Sequence, residues 1–90
     1  MKIPAKTRVA IKRLFVDSFT AAQIKEHRER LKLDPKVKDL EMRLRWDCLW
    51  SLKRYSVEFE AILTELHHDR TINDDHIDSV LKQIFKEQGW

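Results

Sequence analysis

Ninety residues fit one compact domain and are too few for two independent cores, so a two-domain chain is excluded. One Gly and two Pro starve an all-β fold of its turn residues, while 42% hydrophobic and 37% charged residues set the chain apart from disordered sequences. What remains is a single all-α domain over 1–90, a bundle of four helices whose core stabilises only marginally at this size.

No apolar run exceeds three residues, as in Val9 to Ile11 or Cys48 to Trp50. A bilayer-spanning helix needs ~20, so no transmembrane segment is expected. The first sixteen residues lack acids and mix Lys2, Lys6, Arg8, Lys12 and Arg13 with apolar residues. That is no secretory signal, although a mitochondrial transit peptide shares the composition. Cys48 is the single cysteine, which forbids an internal disulfide and points to a reducing, cytoplasmic setting. Its neighbours Leu49 and Trp50 suit a buried, inert thiol.

The net charge of +3 is unevenly spread: residues 1–33 hold nine Lys/Arg against three Asp/Glu, residues 34–66 six against seven, and residues 67–90 three against five. A basic N-terminal third suggests an anionic partner such as nucleic acid or an acidic protein surface. The plainer alternative is that the acidic C-terminal third of the same chain, or of a second copy, neutralises it.

In chain order, the first helix is expected over about 5–16, with Ala10, Ile11, Leu14 and Phe15 on one side, Lys6, Lys12 and Arg13 on the other, and a break at Asp17 and Ser18. The second, about 21–33, has the best-marked entry, because Thr20 and Gln23 can form a capping box and Phe19 can staple onto Ile24. Its apolar face is thin, with His27 between Ile24 and Leu31, and Lys25, Arg28 and Lys32 run along one flank. Asp34 and Pro35 close it and open the next helix.

Nothing after Pro35 breaks a helix until about residue 70, so the third helix is expected over 35–68. At 1.5 Å per residue it would be about 51 Å long, against a diameter of about 30 Å for a compact domain of this size. It must therefore break or project onto another chain. Val37, Leu40, Leu44, Cys48, Leu52, Tyr55, Phe59, Ile62 and Leu66 form one stripe with steps of three or four, which favours continuity. Ser56 could instead cap a new helix at Val57, giving a break near 54–57. The fourth helix, about 74–87, is entered through Asn73 with Asp74 and Asp75 in its first turn. It buries Ile77, Val80, Leu81, Ile84 and Phe85, and it ends at Gly89.

The face of the third helix opposite the long stripe carries Met42, Trp46, Leu49, Trp50 and Val57, with Arg43, Arg45, Lys53 and Arg54 around them. Trp, Met and Arg are enriched in recognition interfaces, which makes Met42, Trp46, Leu49, Trp50, Lys53 and Val57 a candidate partner-binding set. A helix that is apolar on two sides is also what a central core helix looks like. A homodimer is expected to bury the surplus face and relieve the size problem. The leading expectation is thus a non-enzymatic regulatory or adaptor protein that acts by binding, assisted by its basic third.

The alternative is a DNA- or RNA-binding regulator built on the first two helices. Lys6, Arg8, Lys12 and Arg13 would contact phosphates, with Lys25, Arg28 and Lys32 on the second helix and Arg28 and Lys32 nearest the bases. The layout resembles a helix-turn-helix reader, but its turn lacks Gly, and Glu26 and Glu29 sit among the cations. A basic amphipathic first helix on a membrane surface ranks lower.

His67, His68, Asp69 and His76 are metal-ligand types, yet adjacent histidines on a helix point about 100° apart. Asp69, Thr71 and Asn73 echo a calcium loop whose required Gly and Glu are replaced by Asp74 and Val80. Cys48 has no histidine in its own segment to serve as a base, and one glycine rules out a Gly-rich phosphate loop. No metal, cofactor or catalytic residue is expected.

Overall fold

A computed structural model describes residues 3–90, so Lys2 of the basic third lies outside the described residues. Among them the chain is all-helical, with α1 (Ala5–Ser18), α2 (Ala21–Lys32), α3 (Leu40–Tyr55), α4 (Val57–His68) and α5 (Asp74–Gln88). The helices pack into a body of 35 × 26 × 23 Å with a radius of gyration of 13.0 Å. Among the described residues no helix is long and apolar enough to cross a membrane.

Local chemistry explains most of the boundaries. α1 continues through Asp17 and Ser18, past the expected end at Val16, because Phe19 N–H still reaches the Phe15 carbonyl at 3.0 Å. The capping box at α2 forms as its residues imply: Gln23 N–H donates to Thr20 Oγ1 at 3.2 Å and Thr20 N–H to Gln23 Oε1 at 2.8 Å.

The expected 35–68 helix is two helices and a loop. Lys36 N–H donates to Asp34 Oδ1 at 2.9 Å and Val37 N–H to the Asp34 carbonyl at 3.2 Å, so Pro35 sits in a tight turn instead of opening a helix. The real cap is Asp39, whose Oδ1 accepts from Met42 N–H at 3.1 Å. The second interruption is Ser56, with extended φ −128° and ψ 112°, which ends α3 and begins α4. Its N–H still bonds the Leu52 carbonyl at 2.9 Å while its Oγ accepts from Phe59 N–H at 3.1 Å. One extended residue changes the phase of the stripe. Phe59, Leu63 and Leu66 of α4 enter the core, whereas Tyr55, expected on that stripe, is 80% exposed.

The break dissolves the length conflict, since neither α3 nor α4 outruns the 35 Å body. α3 lies at the centre and packs against α1, α2, α4 and α5. Its Leu44, Cys48, Leu49 and Leu52 are buried with Phe15, Ile24, Phe59 and Leu81 from the other helices. α5 buries the five residues its pattern names. Its exit is a Schellman motif: Gly89 at φ +72° lets Trp90 N–H reach the Phe85 carbonyl at 2.9 Å, and Gly89 N–H bonds the Lys86 carbonyl at 3.2 Å. The accompanying apolar contact is Trp90 edge-on to Phe85, with centroids 5.2 Å apart.

A buried ion pair ties α3 to α5. Arg45, only 7% exposed, donates from Nε and Nη2 to the two Asp78 oxygens at 2.9 and 3.0 Å. Arg45 is therefore no rim cation of the tryptophan face.

Candidate docking surface

The second apolar side of α3 is divided between core and surface. Leu49 is 2% exposed and belongs to the core. It cannot meet a partner in the folded chain, which corrects its place in the expected contact set. Trp46 is half-buried and packs on that core. Trp50 at 46% and Met42 at 40% exposure remain open. Met42, Trp46 and Trp50 follow one another at a spacing of four, so they form a ridge along the outside of α3. Val57, 85% exposed, stands beyond the Ser56 break and lines none of the hollows along that ridge.

The three ridge residues floor a hollow of about 550 Å³ whose other wall comes from Asp74, Asp75 and Asp78 at the start of α5, with His67 from the last turn of α4. The local sequence explains the acids, because carboxylates in a first helical turn meet the positive end of the helix dipole. Their nearness to the tryptophans is a tertiary effect. Asp78 is held by Arg45, with Lys82 Nζ at 3.8 Å, while Asp74 and Asp75 are exposed. A smaller hollow at the Met42 end is edged by Lys36, Lys38 and Arg43, the last engaged with Asp47 at 2.9 Å. At the far end, Lys53 Nζ lies 4.9 Å from the Trp50 ring centroid and Arg54 borders another hollow.

Lys12, Arg28 and Lys32 of the basic third are engaged by the chain's own acids and carbonyls. Lys12 pairs with Glu87 of α5, and hydrogen bonds from Lys12 and then Gln83 hold the Glu87 carboxyl below its usual range. Arg28 makes a two-pronged contact with Glu41 at 2.9 and 3.0 Å and donates to the Trp90 carbonyl. Lys32 pairs with Glu29 at 3.1 Å. Arg8 is half-buried between α1 and α5, whereas Lys6, Arg13 and Lys25 are exposed on different elements or turns. Arg28, placed nearest the bases in the nucleic-acid reading, is thus tied into the α2–α3 packing.

One constellation emerges only in three dimensions. Cys48 Sγ is 3.9 Å from His27 Nδ1, and His27 Nε2 is 3.8 Å from Asp47 Oδ2. A histidine does stand beside the thiol, brought there by α2 packing on α3, which corrects the expectation drawn from segment alone. Cys48 is nevertheless fully buried, and burial, followed by the negative charge of Asp47, pushes the thiol up to about 12. It stays protonated at neutral pH and inaccessible to a substrate. His76 is a capping residue: its Nδ1 accepts from Asn73 N–H at 3.1 Å. His67 and His68 lie in the last turn of α4, where cations suit the dipole. Among the described residues no group of three metal-ligand side chains converges.

Compared with known protein families, with curated proteins and with solved structures, the chain matches none.

Proposed function

We propose that this chain is a non-enzymatic regulatory or adaptor module that docks a macromolecular partner on the Met42, Trp46 and Trp50 ridge of α3. The observation that supports the reading best is Trp50, 46% exposed on the central helix of the bundle, next to Met42 at 40%. Tryptophan is the side chain most enriched among binding hot spots, and a half-buried Trp46 gives the ridge a rigid floor. The hydrophobic surface here is compact and is flanked by charge on both sides, as an interface core with a polar rim is.

The expected homodimer drew part of its support from a helix too long for a compact domain, and the break at Ser56 removes that part. Trp50 and Met42 together leave on the order of 200 Å² of apolar surface open, against about 800 Å² per partner in a standard interface between folded proteins. A short partner segment suits this ridge better than a second globular surface.

Photo-crosslinking tests the proposal. A photoreactive residue at position 53, beside an intact Trp50, should give discrete adducts in extract of the expressing cells, and Trp50→Ala should suppress them. The same probe at Leu33 or Tyr55, which are 84% and 80% exposed away from the ridge, sets the background. Identical adducts from all three positions, or none from position 53, would sink the reading.

A further inference from the structure

The ridge has a chemical polarity that its residue types alone do not reveal. In a chain of net charge +3, the hollow floored by Met42, Trp46 and Trp50 is walled by Asp74, Asp75 and Asp78. Asp78 is neutralised by its bidentate pair with Arg45, yet among the described residues no ion pair engages Asp74 or Asp75. These two carboxylates stand across the hollow from indole rings, whose faces are themselves weakly negative and attract cations within about 6 Å. Lys53 Nζ, 4.9 Å from the Trp50 centroid, shows one ring of the ridge already associated with an ammonium of its own chain. At the Met42 end the sign reverses, with Lys36 and Lys38 on the loop before α3. A uniformly basic segment is attracted at one end and repelled at the other.

We propose that the occupant of this hollow is a short apolar segment of a partner protein bearing a Lys or Arg side chain at one end. That cation enters between the Trp46 and Trp50 rings and the carboxylates of Asp74 and Asp75, while apolar side chains of the segment lie on Met42 and Trp50. The inference rests on the docking proposal and adds the partner's chemistry. Nucleic acid is disfavoured at this place, because its phosphates would meet the same two carboxylates.

The test titrates the full chain with two amphipathic peptides of Leu and Ala, identical except that one carries a Lys–Arg pair at one end and the other carries Glu at those positions. Indole N–H resonances and tryptophan fluorescence report binding at low salt. The Lys–Arg peptide should shift the Trp50 resonance, and binding should weaken about tenfold or more in Asp74→Asn/Asp75→Asn, as loss of complementary charge at an interface implies. Glu26→Gln/Glu29→Gln makes the same change in net charge on α2 and should leave affinity unchanged. Trp50→Ala should abolish binding. Circular dichroism verifies that each variant keeps its helices.

Equal binding of both peptides, or an undiminished affinity in the aspartate variant, would overturn the cation preference while leaving a docking ridge supported by position-53 crosslinks. Equal weakening by the α2 control would reduce the effect to bulk charge and overturn it too, as would no binding of the Lys–Arg peptide. Concentration-dependent light scattering of the full chain supplies the remaining arm: a dimer lost in Trp50→Ala would make a second copy the occupant and overturn the proposal.

Discussion

On the flank made by α1 and α2 the sequence is basic, but Lys12 faces Glu87, Arg28 faces Glu41 and Lys32 faces Glu29. In the hollow between α3 and α5 the sequence is less conspicuous, yet Asp74 and Asp75 are left open beside half-exposed aromatic surface. The flank with the larger charge count therefore presents only part of it to a partner, through the exposed Lys6, Arg13, Lys25 and Arg30. Counting ions along a chain measures what could be attracted, whereas tertiary pairing decides what remains to attract. The comparison also separates two uses of arginine: Arg45 and Arg28 each bind one carboxylate through two nitrogens and join separate helices, so both act within the fold.

The largest effect expected of this contrast is on the α3–α5 side. Arg45→Met strips Asp78 of its main partner while leaving the carboxylate only 15% exposed, with Lys82 at 3.8 Å. Removal of one member of such a buried pair costs about 3 kcal/mol or more, measurable as a lowered urea midpoint. The double variant Arg45→Met/Asp78→Leu should recover most of the loss, because no charge is then stranded. A single-variant loss below about 1 kcal/mol would mean that the pair behaves like a surface contact. The acidic wall would then lack the anchor that distinguishes it from the flank.

Arg28→Ala is expected to cost less, about 1 kcal/mol, because Glu41 is 54% exposed and water takes over much of its interaction. The loss should be nearly unchanged in Glu41→Gln if the bond to the Trp90 carbonyl dominates, and a urea double-mutant cycle separates the two contacts. The flank itself is tested by mobility of duplex and single-stranded probes. Retardation at moderate salt, lost in Arg28→Ala with stability intact, would break the comparison by showing a cation that serves a partner as well as the fold.

At three boundaries the residues within one turn were enough to read them. Thr20 with Gln23, Asn73 as a cap and Gly89 as a left-handed exit all occupy their expected places, and α5 buries its five patterned residues. The stretch from 34 to 68 was harder because two signals conflicted. A continuous apolar stripe argued for one helix and Ser56 for a new start, while the cap at Asp39 was not anticipated; each of these two side chains accepts from the backbone N–H three residues on. The local hydrogen bonds prevailed at both points, and the phase change at Ser56 exposed Tyr55. The surface was only half legible. Met42, Trp46 and Trp50 stood out by type and spacing, but Leu49 shared their periodicity and is buried in the core. Nothing near Asp74 or His27 in sequence indicates that one meets tryptophans and the other meets Cys48, since both meetings are made by helix packing.

The smallest effect concerns Lys12 and Glu87, an exposed pair that joins the basic flank to α5. A hydrogen bond from Lys12, then one from Gln83, lowers the Glu87 carboxyl below its ordinary value of 4.5. The folded chain therefore holds this proton less readily than the unfolded chain. Its contribution is fully present above the unfolded value, near pH 4.5, and disappears as acid titrates the carboxyl through its lowered folded value. Lys12→Met should consequently leave a small, pH-independent gap in urea midpoint from wild type above about pH 5, closing as the pH falls through that window. The Glu87 carboxyl resonance should titrate higher in the variant. A gap that stayed constant into strong acid would assign the loss to the aliphatic stem of Lys12 covering the α1–α5 groove. The basic flank would then be joined to the fold by packing, with its charges as free as those of Asp74 and Asp75.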